Sequence, residues 1–164
     1  MKPIIEQIQE KYGSYILEYI TYSGEYTFLI KTSDLLFFMQ VLKDEFHFEG
    51  LIDITAADRL TEEERLEVSY NVISYSQGIR LRVKIRIEED NPHVPSIVDI
   101  WKSANWYERE AYDMMGIVFD NHPDLRRMFL PEDFEYYPLR KEFPLIGVQG
   151  SIPLPEKDPP KEYK

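Results

Sequence analysis

The sequence predicts an α+β fold, in which an antiparallel sheet carries helices on one face and an extended C-terminal arm follows. Apolar residues alternate with polar ones over 66–75 and 79–87, which is the two-residue period of half-buried strands. Over 35–46 they recur instead at helical spacing. The runs follow one another as helix, hairpin, helix, strand, hairpin and helix, an order close to a ferredoxin-like arrangement.

The N-terminal part of the chain predicts a helix and then a hairpin. Apolar residues at helical spacing place a helix over 3–12, which Gly13 can end. β-branched and aromatic residues over 14–22 and 26–31 predict two strands, which a turn at 23–25 joins into a hairpin.

A second helix and a third strand come next. Ser33 or Asp34 can cap the helix, and its apolar stripe continues through Phe48. A glycine then breaks the helix, and a strand follows over 51–57. The acidic run 61–64 predicts a solvated turn.

The second hairpin, over 66–87, has one apolar and one basic face. Ser76-Gln77-Gly78 separates its two strands. The basic face of the second strand contains Arg80, Arg82, Lys84 and Arg86. Two interpretations remain open, since these cations can pair with acids on neighbouring strands or dock onto an acidic surface of a partner.

Prolines at two positions predict a loop over 90–95, because proline disfavours regular structure there. Apolar spacing over 97–101 begins a helical pattern. Asn105 can cap a further helix that Gly116 ends, and a short strand follows. These elements define an α+β domain that spans residues 1–119.

Residues 120–164 predict an extended arm that wraps a partner. Pro131, Pro138 and Pro144 interrupt regular structure, and four more prolines follow Gly150. Extended aromatic segments of this kind tend to lie on another surface. The tail after Gly150 has no core-forming pattern, so it is expected to be disordered alone or draped over a partner.

Composition excludes several classes of function. The net charge of −11 argues against nucleic acid as a partner, because phosphate binding needs a basic surface. The chain contains no cysteine, which removes disulfides, thiolate nucleophiles and ordinary iron–sulfur ligation. No apolar run is long enough to span a bilayer and no signal peptide is evident, so we expect attachment to a membrane only through other proteins.

A charged helix over 105–115 is the main candidate for a functional site. Arg109 and Asp113 are four residues apart and can form an ion pair on one face, and Glu110 and Asp113 are three apart, so both carboxylates can also share a face. Glu110, Asp113 and a returning His122 could form a metal site, which would make the chain a free-standing metal-dependent enzyme. No nucleophile or phosphate loop accompanies these residues, so the catalytic signal is weak.

The stretch from Trp106 to Phe134 reads WYEREAYDMMGIVFDNHPDLRRMFLPEDF, and PLRKEFPL follows at 138–145. This combination resembles the 30 kDa subunit of respiratory complex I, the NADH-quinone oxidoreductase. The acid-arginine-acid helix start, HPDLRR, the Leu-Pro-Glu-Asp step and PLRK all match the family pattern. Phe134 and Tyr136-Tyr137 stand where the family usually has Trp and a glycine-containing step, so this loop is expected to differ.

The resemblance implies a non-redox structural subunit in the peripheral arm of a proton-translocating NADH:quinone oxidoreductase. Such a subunit docks on the large hydrogenase-like subunit that helps form the quinone site. It carries no catalytic residues and no cofactor, since FMN and the iron–sulfur clusters belong to partner subunits. Its expected place is the cytoplasmic face of the inner (plasma) membrane, as a peripheral part of the complex.

The same resemblance assigns interface or structural roles to a set of motif residues. These residues are Glu108, Arg109, Glu110, Asp113, Gly116, His122, Pro123, Asp124, Arg126, Arg127, Pro131, Arg140 and Lys141. We expect one arginine of the 126–127 pair to bind a carboxylate of the charged helix and so pin the turn onto it.

The electron donor remains open at this point. Relatives of the 30 kDa protein also occur in ferredoxin-linked and hydrogenase-type energy-converting complexes, in which other subunits determine the donor. An equivalent subunit of such a complex is therefore the alternative assignment.

Overall fold

The computed structural model describes residues 3–60 and 64–148. Most of the turn expected at 61–64, and the tail expected after Gly150, lie outside the described residues. The α+β prediction is confirmed, with a mostly antiparallel sheet and three α-helices in the described part of the chain. None of these helices is long and apolar enough to cross a membrane.

Ten helices and strands build the described structure, apart from two short 3₁₀ turns. In chain order they are α1 (Ile4–Tyr12), β1 (Ile16–Tyr22), β2 (Glu25–Ile30), α2 (Leu35–Asp44), β3 (Gly50–Asp58), β4 (Leu66–Ser74), β5 (Ile79–Ile87), β6 (His93–Pro95), α3 (Ala104–Met115) and β7 (Val118–Asp120). Residues 121–148, which we call the arm, contain only turns and irregular chain.

The main sheet has the order β1-β2-β5-β4-β3. All its pairings are antiparallel except that between β2 and β5, which is parallel. The chain crosses from β2 to the far edge through α2 and then returns in two hairpin reversals. Because β4 reverses the direction of β3 and β5 reverses it again, β5 runs in the same direction as β3 and lies parallel to β2.

One face of this sheet packs against the helices. Phe28, Val68, Val83 and Ile85 are fully buried there, in one core cluster that includes apolar residues of α1, α2 and α3. The other face, which we call the outer face, is polar at its centre. It is formed by Glu18, Ile20, Tyr22, Glu25, Thr27, Leu29, Asp53, Thr55, Glu67, Ser69, Asn71, Ile73, Arg80, Arg82, Lys84 and Arg86.

Pairing with acids accounts for most of the basic residues on β5. Glu67 on β4 accepts hydrogen bonds from Lys84 at 2.6 Å and Arg86 at 3.3 Å. Arg82 donates to Asn71 at 3.1 Å. Arg80 differs from these three, because its side chain has no hydrogen bond or ion pair with the described residues.

The loop predicted over 90–95 is confirmed at 90–92 but wrong at 93–95, since β6 pairs in parallel with β7. Proline is tolerated because this ladder has only three residue pairs and Pro95 lies at its end. The helical pattern over 97–101 is also wrong. Its apolar residues are buried in turns, where Ile97 accepts the backbone N–H groups of Ile100 and Trp101.

Helix boundaries differ at two points. Helix α2 ends at Asp44, not Phe48, because His47 adopts a positive φ of 54° and turns Phe48 into the core. Helix α3 begins at Ala104, so Asn105 lies in its first turn and is not its cap. Burial of apolar side chains beyond a helix end mimics helical periodicity in the sequence.

Candidate functional site

Asp113, in the third turn of α3, holds the arm through its buried carboxylate. Its Oδ2 accepts the backbone N–H groups of Met128 at 2.9 Å, Phe129 at 2.7 Å and Leu130 at 3.2 Å. Its Oδ1 pairs with Arg127 at 2.9 Å, and both side chains are almost fully buried. Burial raises the pKa of Asp113, but the N–H donors and Arg127 outweigh it and lower this pKa below its ordinary value.

Arg127 is therefore the arginine that pins the turn onto the helix, as the sequence predicts for one of the pair. It also donates to the carbonyls of Asp113 at 3.1 Å and Phe134 at 2.5 Å. Its guanidinium lies 5.3 Å from the ring centroid of Tyr137. Arg126 instead pairs with Asp124 at 2.9 Å on the exposed side of the turn.

Arg109 makes a second link between α3 and the arm. It donates to the carbonyls of Arg126 at 3.1 Å and Arg127 at 3.2 Å, and its guanidinium lies 5.2 Å from the centroid of the Trp106 ring. The pair expected between Arg109 and Asp113 does not form, because each side chain binds the arm's backbone instead. Their spacing places the two side chains on one face of the helix, but both form their hydrogen bonds with the backbone of the arm.

The C-terminal end of α3 is closed by the arm as well. Gly116 ends the helix in the left-handed conformation, with φ of 73°. The N–H of Leu139 donates to the carbonyl of Met114 at 3.1 Å, and Arg140 Nε donates to that of Met115 at 2.8 Å. Carbonyls that a helix end leaves without partners thus find donors in the arm.

Replacing Gly116 with alanine is expected to destabilise the chain by about 2–4 kcal/mol in urea unfolding, from left-handed strain plus overpacking. An added Cβ would lie 2.6 Å from the ring of Tyr137. Gly24→Ala is the matched control, because Gly24 also has a positive φ, of 82°, but meets nothing within 4 Å. Equal losses in the two variants would show that the Tyr137 contact adds nothing.

A second anchor joins the arm to the end of the sheet. Arg65 binds both oxygens of Asp58, at 2.7 and 2.6 Å, and also pairs with Glu89 and with Glu142 of the arm. Asp58 Oδ2 accepts the backbone N–H of Lys141 at 2.8 Å. Arg65 holds the pKa of Asp58 well below its ordinary value.

Sequence reasoning missed this second anchor. Asp58 and Lys141 are 83 positions apart, so no spacing rule connects them. The available signal was Arg65 and Asp58 flanking one turn. The side chain of Lys141 is exposed, and the residue contributes its backbone N–H instead.

The histidine turn is held by its own ring. His122 Nδ1 accepts the N–H of Asp124 at 3.0 Å, so Nε2 carries the proton and donates to the carbonyl of Asn105 at 3.2 Å. Burial lowers the pKa of His122, which favours this neutral form. Pro123 is exposed beside it, as is Pro131 further along the arm.

Glu108 is fully buried and has no cationic partner among the residues that the structure describes. Its carboxyl group accepts the Ser96 hydroxyl at 2.6 Å and the Ile97 N–H at 2.8 Å. Burial raises the pKa of Glu108 to about 7, despite these two donors. Glu110, two positions along, is exposed.

Glu110, Asp113 and His122 do not form the predicted metal site. Asp113 is saturated by four donors from the arm, and His122 is occupied at both ring nitrogens. Within residues 3–60 and 64–148, no group of three or more His, Asp or Glu side chains could hold a metal ion. The arrangement is suited to holding a segment of chain in place.

Fold and site together define a class of protein, a small α+β scaffold that locks an extended arm onto itself through buried ion pairs. The family described as "Respiratory-chain NADH dehydrogenase, 30 Kd subunit" matches residues 28–149. The chain belongs to this family.

Curated relatives support the same assignment over nearly the whole chain. The corresponding NADH-quinone oxidoreductase subunit from Geotalea uraniireducens is 39% identical over 155 residues, which cover 94% of this chain and 90% of the relative. The corresponding subunit from Bartonella bacilliformis is 41% identical over 142 residues, covering 85% of this chain and 69% of the relative.

Solved structures share the fold. The trypsin-resistant fragment of Nqo5 superposes with a TM-score of 0.68 at 31% identity, covering 75% of this chain and all of the fragment. A chain of the membrane-bound sulfane sulfur reductase, an archaeal respiratory membrane complex, gives 0.76 at 27% identity, covering 98% and 96%. The chain is thus a subunit of a complex I-type, membrane-associated enzyme complex, and other subunits of that complex are its partners.

Proposed function

We propose that the chain is a non-redox structural subunit in the peripheral arm of a proton-translocating NADH:quinone oxidoreductase. It supports electron transfer from NADH to quinone by docking on the large hydrogenase-like subunit at the quinone site. FMN and the iron–sulfur clusters lie on partner subunits, and the complex holds this chain at the cytoplasmic face of the inner (plasma) membrane. Membership of the 30 kDa subunit family supports this proposal.

The single observation that carries the docking role is the contrast between the two ends of the arm. Its base is locked by Asp113 and Arg127, which are nearly fully buried. Further along, Leu145 is 106% exposed and Ile146 is 94% exposed, so two adjacent large apolar side chains point into water. Adjacent exposed apolar residues on an ordered base are typical of a surface that a partner covers.

A non-catalytic role agrees with how the charged groups are used. Asp113, Arg127 and Arg109 direct their hydrogen bonds to the arm and to the end of α3. Without cysteine, the chain cannot ligate an iron–sulfur cluster through thiolates. We therefore assign positioning of the arm, and no step of the redox reaction, to the motif residues.

We also propose a division of labour along the chain. Residues 1–119 form the α+β domain, and residues 120–164 form the arm and tail that wrap the partner. The many contacts of the arm with the domain make that domain the platform from which the wrapping segment departs.

The likeness to the archaeal sulfane sulfur reductase favours a second candidate of the same architecture. Here the chain serves as the equivalent subunit of a ferredoxin-linked or hydrogenase-type complex. The cofactors of the subunits that co-purify with it distinguish the two, since an FMN-containing NADH-oxidising module supports the first candidate. A free-standing metal enzyme would instead be recovered alone, with stoichiometric bound metal.

Removing residues from Ile146 onward is expected to leave cooperative melting of the isolated chain unchanged while reducing recovery of partner subunits after mild detergent extraction. The domain and both anchors lie before this position, so the fold keeps its contacts. A full-length Leu145→Ser, Ile146→Ser variant shows whether the loss of partner subunits comes from the missing apolar side chains or from the shorter chain. Full recovery of partners by the truncated chain would contradict the proposed wrapping.

A further inference from the structure

The outer face of the sheet carries a continuous row of side chains, which are exposed or half-buried except for the buried Thr27. Strand register places Ile20, Thr27, Arg82, Asn71 and Asp53 side by side across all five strands. The core residues of the three helices lie on the opposite face. The outer face therefore has no second layer within the described chain.

The cations at one end of β5 share a carboxylate, whereas at the other end the side chain of Arg80 has no partner among the described residues. Lys84 and Arg86 share Glu67, whose side chain is only 11% exposed. Arg82 donates to Asn71 at 3.1 Å, but its one ion pair, with Glu25, spans 3.4 Å, and Glu25 is itself 69% exposed. Arg80, near the start of the strand, is exposed, and its side chain has no ion pair or hydrogen bond within residues 3–60 and 64–148.

A cavity of about 230 Å³ lies at this unsatisfied end. Its lining includes Arg80, Arg82, Asn71, Asp53 and Glu25. Asp53 already accepts the hydroxyl of Thr55, and Glu25 approaches Arg82 from the rim. The guanidinium of Arg80, which can hold a carboxylate in bidentate geometry, thus faces a space that admits one more acidic side chain, beside the already bonded Arg82.

Apolar residues flank the cavity on the same face. Tyr22 is 80% exposed and Ile20 is 44% exposed on the edge strand β1, and Ile52 is 38% exposed on β3 beside the cavity. Tyrosine and arginine are among the residue types that most often dominate the energy of protein interfaces. An arginine that lacks a partner in the described chain and lies between exposed apolar groups has the composition of a docking surface.

We propose that the Arg80 end of the outer face, from Tyr22 to Arg82, binds an acidic segment of a neighbouring subunit. A carboxylate of that segment enters the cavity between Arg80 and Arg82, and its apolar neighbours cover Tyr22 and Ile20. The net charge of −11 repels an acidic partner from the chain as a whole, so the unpaired guanidinium of Arg80 orients the encounter. The inference rests on the proposed function as an assembled subunit.

Arg80→Glu in the full chain is expected to reduce the recovery of partner subunits about tenfold after mild extraction at low salt, because like charges then meet in the cavity. Lys102→Glu is the matched control: it makes the same charge change at a side chain that is 77% exposed and pairs with Asp99. Melting of each isolated variant shows whether the chain still folds. Unreduced recovery with Arg80→Glu, or equal losses in both variants, would overturn the inference.

Arg80→Lys supplies a positive test that does not depend on loss. A carbodiimide joins the new amine to a carboxylate in contact with it, and peptide mapping identifies the linked residue. We expect a link to an acidic residue of another subunit; a link to Glu25 alone would refute the docking surface. If the wild-type chain recovers no partner subunits, the proposed function itself is contradicted. If the Arg80→Lys variant assembles but forms no cross-link to another subunit, only the docking surface is contradicted.

Discussion

Replacing Asp113 with alanine is expected to destabilise the folded chain by about 3–5 kcal/mol, because it leaves the buried guanidinium of Arg127 without its carboxylate. The same change removes the acceptor of three backbone N–H groups at 128–130. Urea unfolding measures the loss, and hydrogen exchange at these three amides reports release of the arm.

Asp99→Ala is the matched control for the Asp113 variant. Asp99 is fully exposed and pairs with Lys102 on the surface, where solvent screens the pair, so its loss is expected to leave stability nearly unchanged. Similar stability of the two variants would show that the arm is not held by the buried carboxylate. Retained protection of the 128–130 amides in Asp113→Ala would show the same.

Lowering the pH is expected to reduce the difference in the free energy of unfolding between the wild type and Asp113→Ala. The folded-state pKa of Asp113 lies below its ordinary value of 3.8, so its contribution is present above that pH and is lost as pH falls through the folded pKa. The variant lacks this contribution at every pH. Its deficit is therefore largest near neutrality and shrinks in acid.

Glu108→Gln is expected to stabilise the chain above pH 7 by up to about 3 kcal/mol, opposite in sign to the Asp113 result. Burial raises the pKa of Glu108 from 4.5 to about 7, so the folded chain binds this proton more tightly than the unfolded chain. Wild-type stability from this group is full below pH 4.5, falls between 4.5 and 7, and stays low above 7. The neutral amide of glutamine does not titrate, so the variant lacks this pH dependence of stability.

Urea unfolding at half-unit steps from pH 5 to pH 8 tests this prediction. The glutamine keeps a carbonyl oxygen for the Ile97 N–H, while its NH₂ group faces the Ser96 hydroxyl, which can accept as well as donate. Glu110→Gln, an exposed position on the same helix, should leave the wild-type pH dependence in place. Persistence of the full slope in Glu108→Gln would show that another group is responsible.

The three carboxylates of α3 show how far local sequence reasoning reaches. Spacing predicts that Glu110 and Asp113 share a face, and the family pattern marks Glu108, Glu110 and Asp113 together. In the structure, one carboxylate is buried without a cation among the described residues, one is exposed and one is buried with four donors. The environment of each carboxylate depends on which segment of the chain packs against that side of the helix. Residue spacing within the helix does not encode this packing.

Periodicity determined most elements of the domain because alternation and helical spacing directly reflect which side chains face a core. Local sequence also determined the stop of α3 at Gly116, since tolerance of a left-handed conformation is a local property of glycine. The absence of cysteine and the net charge argued against thiolate chemistry and nucleic acid without any structure.

Only the tertiary structure decided which partners these groups take. The parallel pairing of β2 with β5 and the anchor between Asp58 and Lys141 both join residues distant in the chain. Their energies arise from burial and from contacts between separate segments, and those contributions exist only once the chain has folded. The residues around Asp113 and Arg127 could therefore be named from the sequence, but the anchor of Asp58, Arg65 and Lys141 could not.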